Sequence, residues 1–343
     1  GCADPDIVLD SSYGEERLYG GVDLSWKAGA RHTLFAELAL AQVEVDEGWM
    51  RLNLDPQSWL PSATMFEYDY LISEGKTRRI SSLTLQDEFR ASGQFTLTSG
   101  LRYDSYSDVG DSLNPRLAAV WQLNRNHILK GQYAHAFRPS SFYELGGSVT
   151  GLAPATIDSI ELAYIYRQPD TVARAVLFGS DIDNLVVFVD DGGYLGFDSI
   201  KARLRGAELE LEQQLTQRFK LAGDLSYVDT YDLSSGKQLG FSSNWLVNVG
   251  LSYQPRPKLT GTLQWRYVGA RNRQAGDTRP ALQPYSSMDA SVSRLALLPG
   301  LDLRAGVKNL FAQAVRYPAP MNTYDDDYPR AGRQWWMELN YSF

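Results

Sequence analysis

The chain has 343 residues, of which 43% are apolar, 22% charged and 12% aromatic, and a formal net charge of −8. This composition fits a folded protein rather than a disordered one. The acidic balance argues against nucleic acid as a partner, because neutralising phosphates needs a basic surface. A single cysteine, Cys2, excludes internal disulfides and CxxC metal sites.

Taken as a soluble protein, this length would suggest about two domains. No continuous apolar run reaches the roughly 18 residues of a membrane-spanning helix. Barrel strands alternate and never form such a run, so a β-type membrane protein stays open. The 20 tyrosines and 8 tryptophans favour strands and apolar–aqueous boundaries.

In chain order, residues 1–15 read as the tail of an outer loop, with at most a short strand around Ile7–Asp10. From there a period-two pattern recurs in about fifteen segments, the signature of half-buried strands. They centre on residues 16–27, 31–45, 79–91, 94–106, 114–124, 127–137, 156–167, 171–186, 200–214, 218–229, 242–254, 257–269, 285–295, 300–312 and 333–343. In 95–104, Phe95, Leu97, Leu101 and Tyr103 oppose Thr96, Thr98, Arg102 and Asp104. At the C-terminus, Trp335, Met337, Leu339, Tyr341 and Phe343 oppose Gln334, Trp336, Glu338, Asn340 and Ser342. Most segments exceed the five or six residues of an average soluble strand and are long enough to cross a bilayer at a tilt.

The connections alternate. "KAGAR", "ASG", "LNRN", "RQPD", "LTQR", "QPRP" and "LLPG" are tight turns, whereas 46–78, 138–155, 187–199, 270–284 and 313–332 read as long loops. An outer-membrane barrel has this asymmetry, with short periplasmic turns and longer outer loops. The second face carries Asp23, Glu37, Glu88, Arg102, Glu208, Glu210, Asp224, Arg266, Arg304 and Glu338, a polar lumen. A one-residue register slip would turn these toward lipid, at roughly 2–4 kcal/mol for each Arg or Lys at the midplane. A soluble sandwich is the competing architecture. It seldom sets Tyr or Trp at strand ends, where Trp26, Tyr103, Tyr227, Tyr253 and Tyr267 stand. The reading is all-β, a transmembrane antiparallel barrel. An odd strand count cannot close with antiparallel neighbours, so the chain is expected to be part of a larger barrel.

Four local sequences carry a resemblance. They are "NPRLAAVW" at 114–121, "GQYAHAFRPSSFYEL" at 131–145, "RLRGAELELEQQL" at 203–215, and "VKNLFAQAVRYPAP" at 307–320 with "YPRAGRQWWMELNYSF" at 328–343. In order and spacing they resemble the C-terminal barrel portion of TonB-dependent outer-membrane receptors of the siderophore and cobalamin type. That resemblance implies a 22-stranded barrel around an N-terminal plug, with about fifteen strands in this chain and the plug and first strands absent. It implies uptake of a scarce nutrient across the outer membrane of a Gram-negative bacterium, a ferric siderophore first and cobalamin or haem behind it. Implied partners are a small-molecule metal chelate, the TonB–ExbB–ExbD complex acting through the plug, outer-membrane lipid and lipopolysaccharide, and the barrel-assembly machinery. No resident cofactor is implied, since any iron or cobalt would arrive with the ligand.

No enzyme motif is present, and His32, His127 and His135 lack a zinc spacing. No catalytic or metal-binding residue is therefore assigned. Ligand recognition is expected on the outer loops. The candidates are Trp49, Trp59, Tyr68, Arg138, Tyr143, Tyr194, Tyr324, Asp326 and Tyr328. Arg138 with Pro139 also has a purely structural reading as the exit from a strand. The triple Asp at 325–327 also fits a solvated or cation-binding surface, and Gly206 fits a close approach or a kink. Tyr341 and Phe343 resemble the terminal signal read by the assembly machinery. Deleting Phe343 should lower membrane levels more than ligand affinity. The runner-up function is a passive porin of about sixteen strands.

Overall fold

The computed structural model describes residues 7–58, 60–68, 74–148, 151–191, 194–274, 276–320, 324 and 326–343, and only the backbone of 190, 191, 194 and 195. The strands are β1 (Leu9–Ala28), β2 (His32–Leu54), β3 (Pro61–Tyr68), β4 (Thr77–Arg90), β5 (Phe95–Tyr106), β6 (Gly110–Gln122) and β7 (His127–Arg138). After the short helix α1 (Phe142–Gly146) come β8 (Ala155–Gln168), β9 (Thr171–Asp191), β10 (Tyr194–Gln214), β11 (Phe219–Asp232) and β12 (Lys237–Gln238). The last are β13 (Trp245–Arg256), β14 (Leu259–Val268), β15 (Tyr285–Leu298), β16 (Leu301–Lys308), β17 (Arg316–Tyr317), β18 (Tyr328–Pro329) and β19 (Gln334–Tyr341).

Seventeen of these strands form one antiparallel sheet, and β17 pairs with β18 in a separate small hairpin. Each of the expected segments falls on its own strand of a meander that reverses direction at every step, from β1 through β2 and β4 to β16 and β19. Four strands were not expected: β3, on the upper part of β2, β12, on the upper part of β11, and the β17–β18 pair. All seven tight turns join neighbouring strands at one end of the sheet. The opposite end carries the long connections, with two exceptions, the turn at 107–109 between β5 and β6 and the two-residue connection between β9 and β10.

The sidedness is that of a membrane wall. Leu24, Ala36, Leu85 and Leu101 are successive register partners across β1, β2, β4 and β5, forming one outward row. Leu18 and Val22 are more than 75% exposed, and Trp335 and Met337 about 70%. In a soluble sandwich these side chains would be the core. Buried apolar clusters among the described residues are small, namely Val45 with Phe142 and Val43, and Val268 with Tyr285 and Val315. An apolar face this long and this exposed needs lipid against it.

The inner face is polar and cross-linked. Arg102 bonds Asp104 at 2.8 Å and lies 3.7 Å from Glu37, and Ser82 donates to Asp104. Arg174 pairs with Glu210, and Lys220 with Glu212. Gly206 answers a close approach. A Cβ there would come within 2.4 Å of the Phe178 ring and 2.5 Å of the Tyr227 carbonyl oxygen, so only glycine fits beneath that ring.

The strands run further outward than periodicity suggests. Residues 9–15 belong to β1, with Leu9 opposite Leu52, and are not a loop tail. The stretch 187–199 is largely the top of the β9–β10 ladder, with Phe188 opposite Phe197. Residues 46–54 continue β2. Beyond the lipid both faces meet water, so the alternation fades while the backbone ladder continues. Charges then reach the outward face. Asp158 accepts from Tyr133 at 2.6 Å and lies 3.1 Å from His135, Arg203 pairs with Asp181, and Lys201 bonds Asp183 at 2.8 Å. This row marks the upper limit of the apolar band.

Candidate functional site

The loop-rich end presents three groups of side chains. The first is the exit from β7. Arg138 donates from both terminal nitrogens to Glu144 at 3.0–3.1 Å. Ser141 caps α1, its Oγ accepting from the Glu144 backbone N–H while the Glu144 carboxylate accepts from the Ser141 N–H. Burial raises the Glu144 pKa, but Arg138 and the Ser141 backbone N–H outweigh it and hold the carboxyl below its ordinary range. Beneath, Arg78 reaches the Ser140 carbonyl at 2.9 Å, pairs with Asp108 at 2.7 Å and lies 4.9 Å from the centre of the buried Phe142 ring. The "FRPSSFYEL" segment is thus a rigid joint. Tyr143, half exposed on α1, meets Phe197 of β10 edge to face at 5.5 Å.

The second group lies on the first outer hairpin. Trp49 donates to Glu47 at 2.7 Å, with the Arg51 guanidinium 4.8 Å above its ring. The Tyr68 hydroxyl donates to the Leu54 carbonyl at 2.7 Å. Trp59 and the side chain of Tyr194 lie outside the described residues.

The third group joins two loops that are distant in sequence. Arg273 grips Asp327 through both terminal nitrogens, and both side chains are nearly buried. Arg279 pairs with Asp277 and donates to the carbonyls of Ala319 at 2.8 Å and Tyr324 at 3.2 Å. Arg271, also buried, donates to the Arg316 carbonyl at 2.8 Å and lies 5.1 Å from the Tyr285 ring centre. The hydrogen bonds from Arg273 hold the Asp327 carboxyl below its usual range, and those from Arg279 do the same for Asp277. In the same loop as Asp327, Tyr324 and Tyr328 stack, centroids 5.5 Å apart and planes 20° from parallel, with both residues more than 40% exposed.

The structure therefore brings together Tyr324, Asp326 and Tyr328, and it separates them from Trp49 and Tyr68 on β2 and β3. Of the triple Asp, Asp326 is exposed with Arg316 at 3.9 Å, whereas Asp327 is a buried ion-pair partner rather than solvated surface. Asp325 lies outside the described residues. Arg271, Arg273, Arg279 and Asp277 were not legible as site residues. Their one signal is a loop with three arginines, "GARNRQAGDTRP", opposite a loop with three aspartates.

Below the loops the inner wall of β4 to β9 lines a cavity of about 870 Å³. Arg102, Asp104, Asn114, Arg116, Gln132 and Glu161 are among its polar lining, and Tyr106, Phe137 and Phe178 add aromatic rings. No group of three or more metal-ligating side chains occurs among the described residues. At the opposite end Tyr341 and Phe343 meet edge to face at 5.3 Å, with Phe343 fully exposed.

An outward apolar wall, a polar lumen and elaborated loops at one end alone are the plan of an outer-membrane receptor. The family profile described as TonB dependent receptor-like, beta-barrel, matches residues 5–310. The chain belongs to this family. Among curated relatives of this TonB-dependent barrel, the iron-regulated outer membrane virulence protein of Vibrio cholerae is 25% identical over 292 residues, covering 76% of this chain and 44% of that protein. The ferric enterobactin receptor of Pseudomonas aeruginosa is 26% identical over 285 residues, covering 70% and 38%. The copper transporter OprC superimposes with a TM-score of 0.80 at 17% identity, over 98% of this chain and 57% of that one, a likeness of fold. The chain thus spans less than half the length of these two curated relatives. The sheet is an outer-membrane barrel wall of a Gram-negative bacterium, and neither the family nor these relatives are enzymes.

Proposed function

We propose that this chain forms the C-terminal barrel portion of a TonB-dependent receptor that takes up a scarce metal chelate, a ferric siderophore in the first instance. The observation that carries the reading is the exposed aromatic pair Tyr324–Tyr328, in the loop that the buried Arg273–Asp327 clamp anchors at the loop-rich end of the sheet. Flat aromatic faces fit the planar chelating groups of such ligands, and a clamp that is rigid before binding lowers the ordering cost. Arg316, half exposed beside Asp326, adds positive charge for an anionic chelate. Relatives named for iron regulation and for ferric enterobactin support iron over cobalt as the cargo. In this reading the plug and the segment that contacts TonB lie outside these residues, and the TonB–ExbB–ExbD complex drives release through them.

The test uses the full-length receptor. Binding is measured by intrinsic fluorescence against a panel of ferric siderophores, haem and cobalamin, beside growth with each as sole source. One ferric chelate should bind and support growth. The double variant Tyr324→Ala/Tyr328→Ala should weaken that binding about tenfold or more, as the loss of two stacking faces implies. Binding of cobalamin alone would overturn the siderophore assignment. Unimpaired binding by the double variant would remove the tyrosine pair from the site.

A further inference from the structure

Near its turn end the described outward wall carries an acidic group on its lipid-facing side. Asp87 on β4 points to the same side as Leu83 and Leu85 and lies opposite Leu34 and Ser99 in the register. It closes the end of an apolar groove of about 530 Å³ lined by Leu24, Trp26, Leu34, Ala36, Leu85 and Leu101. A carboxylate on the lipid-facing side is costly unless its oxygens find donors. One does: Asp87 Oδ2 lies 2.8 Å from His32 Nδ1. The other, Oδ1, is buried and has no hydrogen-bond partner. The His32 ring stacks on Phe89, centroids 4.7 Å apart, which fixes the imidazole that holds Oδ2.

The position along the strand identifies the leaflet. His32 opens β2 directly after the tight turn at 29–31, and Asp87 lies three residues before the end of β4, ahead of the turn at 91–94. Three strand residues span about 10 Å, so the carboxylate sits at the periplasmic headgroup boundary. Trp26, in the groove wall, is at the depth where interfacial aromatics anchor. The exposed Arg31, one residue before His32, puts positive charge at the same end.

We propose that this groove seats one acyl chain of a periplasmic-leaflet phospholipid whose headgroup ends in a primary ammonium, with that ammonium donating to Asp87. The charge complementarity is specific in kind. An –NH₃⁺ group offers three N–H donors and can supply the bond that Oδ1 lacks, whereas a trimethylated ammonium carries the same charge and has no donor to give. A partial turn about the soft χ2 of Asp87 brings the bare oxygen to the groove without moving the backbone, and the ammonium then takes over part of the bond that Oδ2 makes to His32 in the lipid-free wall. The phosphate of the same headgroup falls on the side of Arg31. His32 is a positioning residue that holds the carboxylate in place.

The experiment is native mass spectrometry of the full-length receptor, purified and equilibrated with an equimolar mixture of dioleoyl phosphatidylethanolamine, phosphatidylcholine and phosphatidylglycerol. Wild-type protein should retain phosphatidylethanolamine about fivefold over phosphatidylcholine, the scale of one charge-assisted hydrogen bond at a half-exposed site. Asp87→Asn should abolish that preference while keeping the heat-modifiable gel mobility of a folded barrel. Should Asp87→Asn fail to insert, Ala36→Phe, which fills the groove and leaves the carboxylate, carries the test and must also remove the enrichment. Equal retention of the two zwitterionic lipids by the wild type overturns the proposal, as does enrichment that survives both substitutions. A dimer of the receptor that Asp87→Asn dissociates would show that a second copy covers the groove, and would overturn it too.

Discussion

The lower wall of the sheet and its outer ends are built on opposite terms. In the wall, each strand contributes an apolar row whose partner is lipid, and single side chains matter through the medium they face. At the outer ends, loops far apart in sequence are joined by a few buried ion pairs, and single side chains matter through the partner they hold. The first region tolerates exchange of one apolar residue for another and rejects charge. The second depends on charge and on the geometry of particular pairs.

The largest effect should come from carrying the rule of one region into the other. Leu85→Arg places a cation in the middle of the outward row and should cost about 2–4 kcal/mol of barrel stability, read from urea unfolding in lipid vesicles. The same substitution at Tyr231, in the register row of Asp181 and Arg203, should be nearly neutral. If both cost the same, the apolar band does not end where the charged row begins.

Next, Arg273→Ala leaves Asp327 buried without its partner, which should loosen the clamp by about 3 kcal/mol. Limited proteolysis should then cut within 313–332 while the melting of the wall stays unchanged. A matching fall in the unfolding midpoint of the whole barrel would show that the two regions are not independent. Acid should reproduce this loosening. Because the folded-state pKa of Asp327 lies below its unfolded value, the clamp's contribution is fully present above about pH 4 and is lost as pH falls through the depressed value. Proteolysis of the loop should thus be unchanged between about pH 7 and pH 5 and accelerate only below pH 4.

The smallest of these effects tests the inner face. Gly206→Ala drives a methyl into the Phe178 ring and the Tyr227 carbonyl, and should cost about 1–3 kcal/mol. Combining it with Phe178→Ala should recover the part due to the ring and leave the part due to the carbonyl. Full recovery would mean that the backbone contact is unimportant.

Much of the wall was legible because lipid imposes a strict period. A residue such as Leu101 or Met337 has only two faces to choose from, and the alternating pattern names the face. The strand tops were less legible for the same reason inverted. Once both faces of β1, β2, β9 and β10 meet water, polar residues serve on either side and no periodicity marks the ladder, so 187–199 reads as a loop. Asp87, Asp158 and Asp181 break the pattern on the outward face, and their meaning rests on height along a tilted strand, which a linear sequence does not display.

What the sequence by itself determined is the all-β wall, its sidedness, the turn end and the loop end, and the glycine at 206. Each of these follows from local alternation, turn chemistry or a single missing side chain. Only the tertiary structure decided that Arg273 meets Asp327, that Tyr324 and Tyr328 stack in the same loop, and that His32 leaves one oxygen of Asp87 without a donor. Those facts depend on which loops and strands become neighbours when the sheet curves. That curvature is a property of the whole meander and of no single segment.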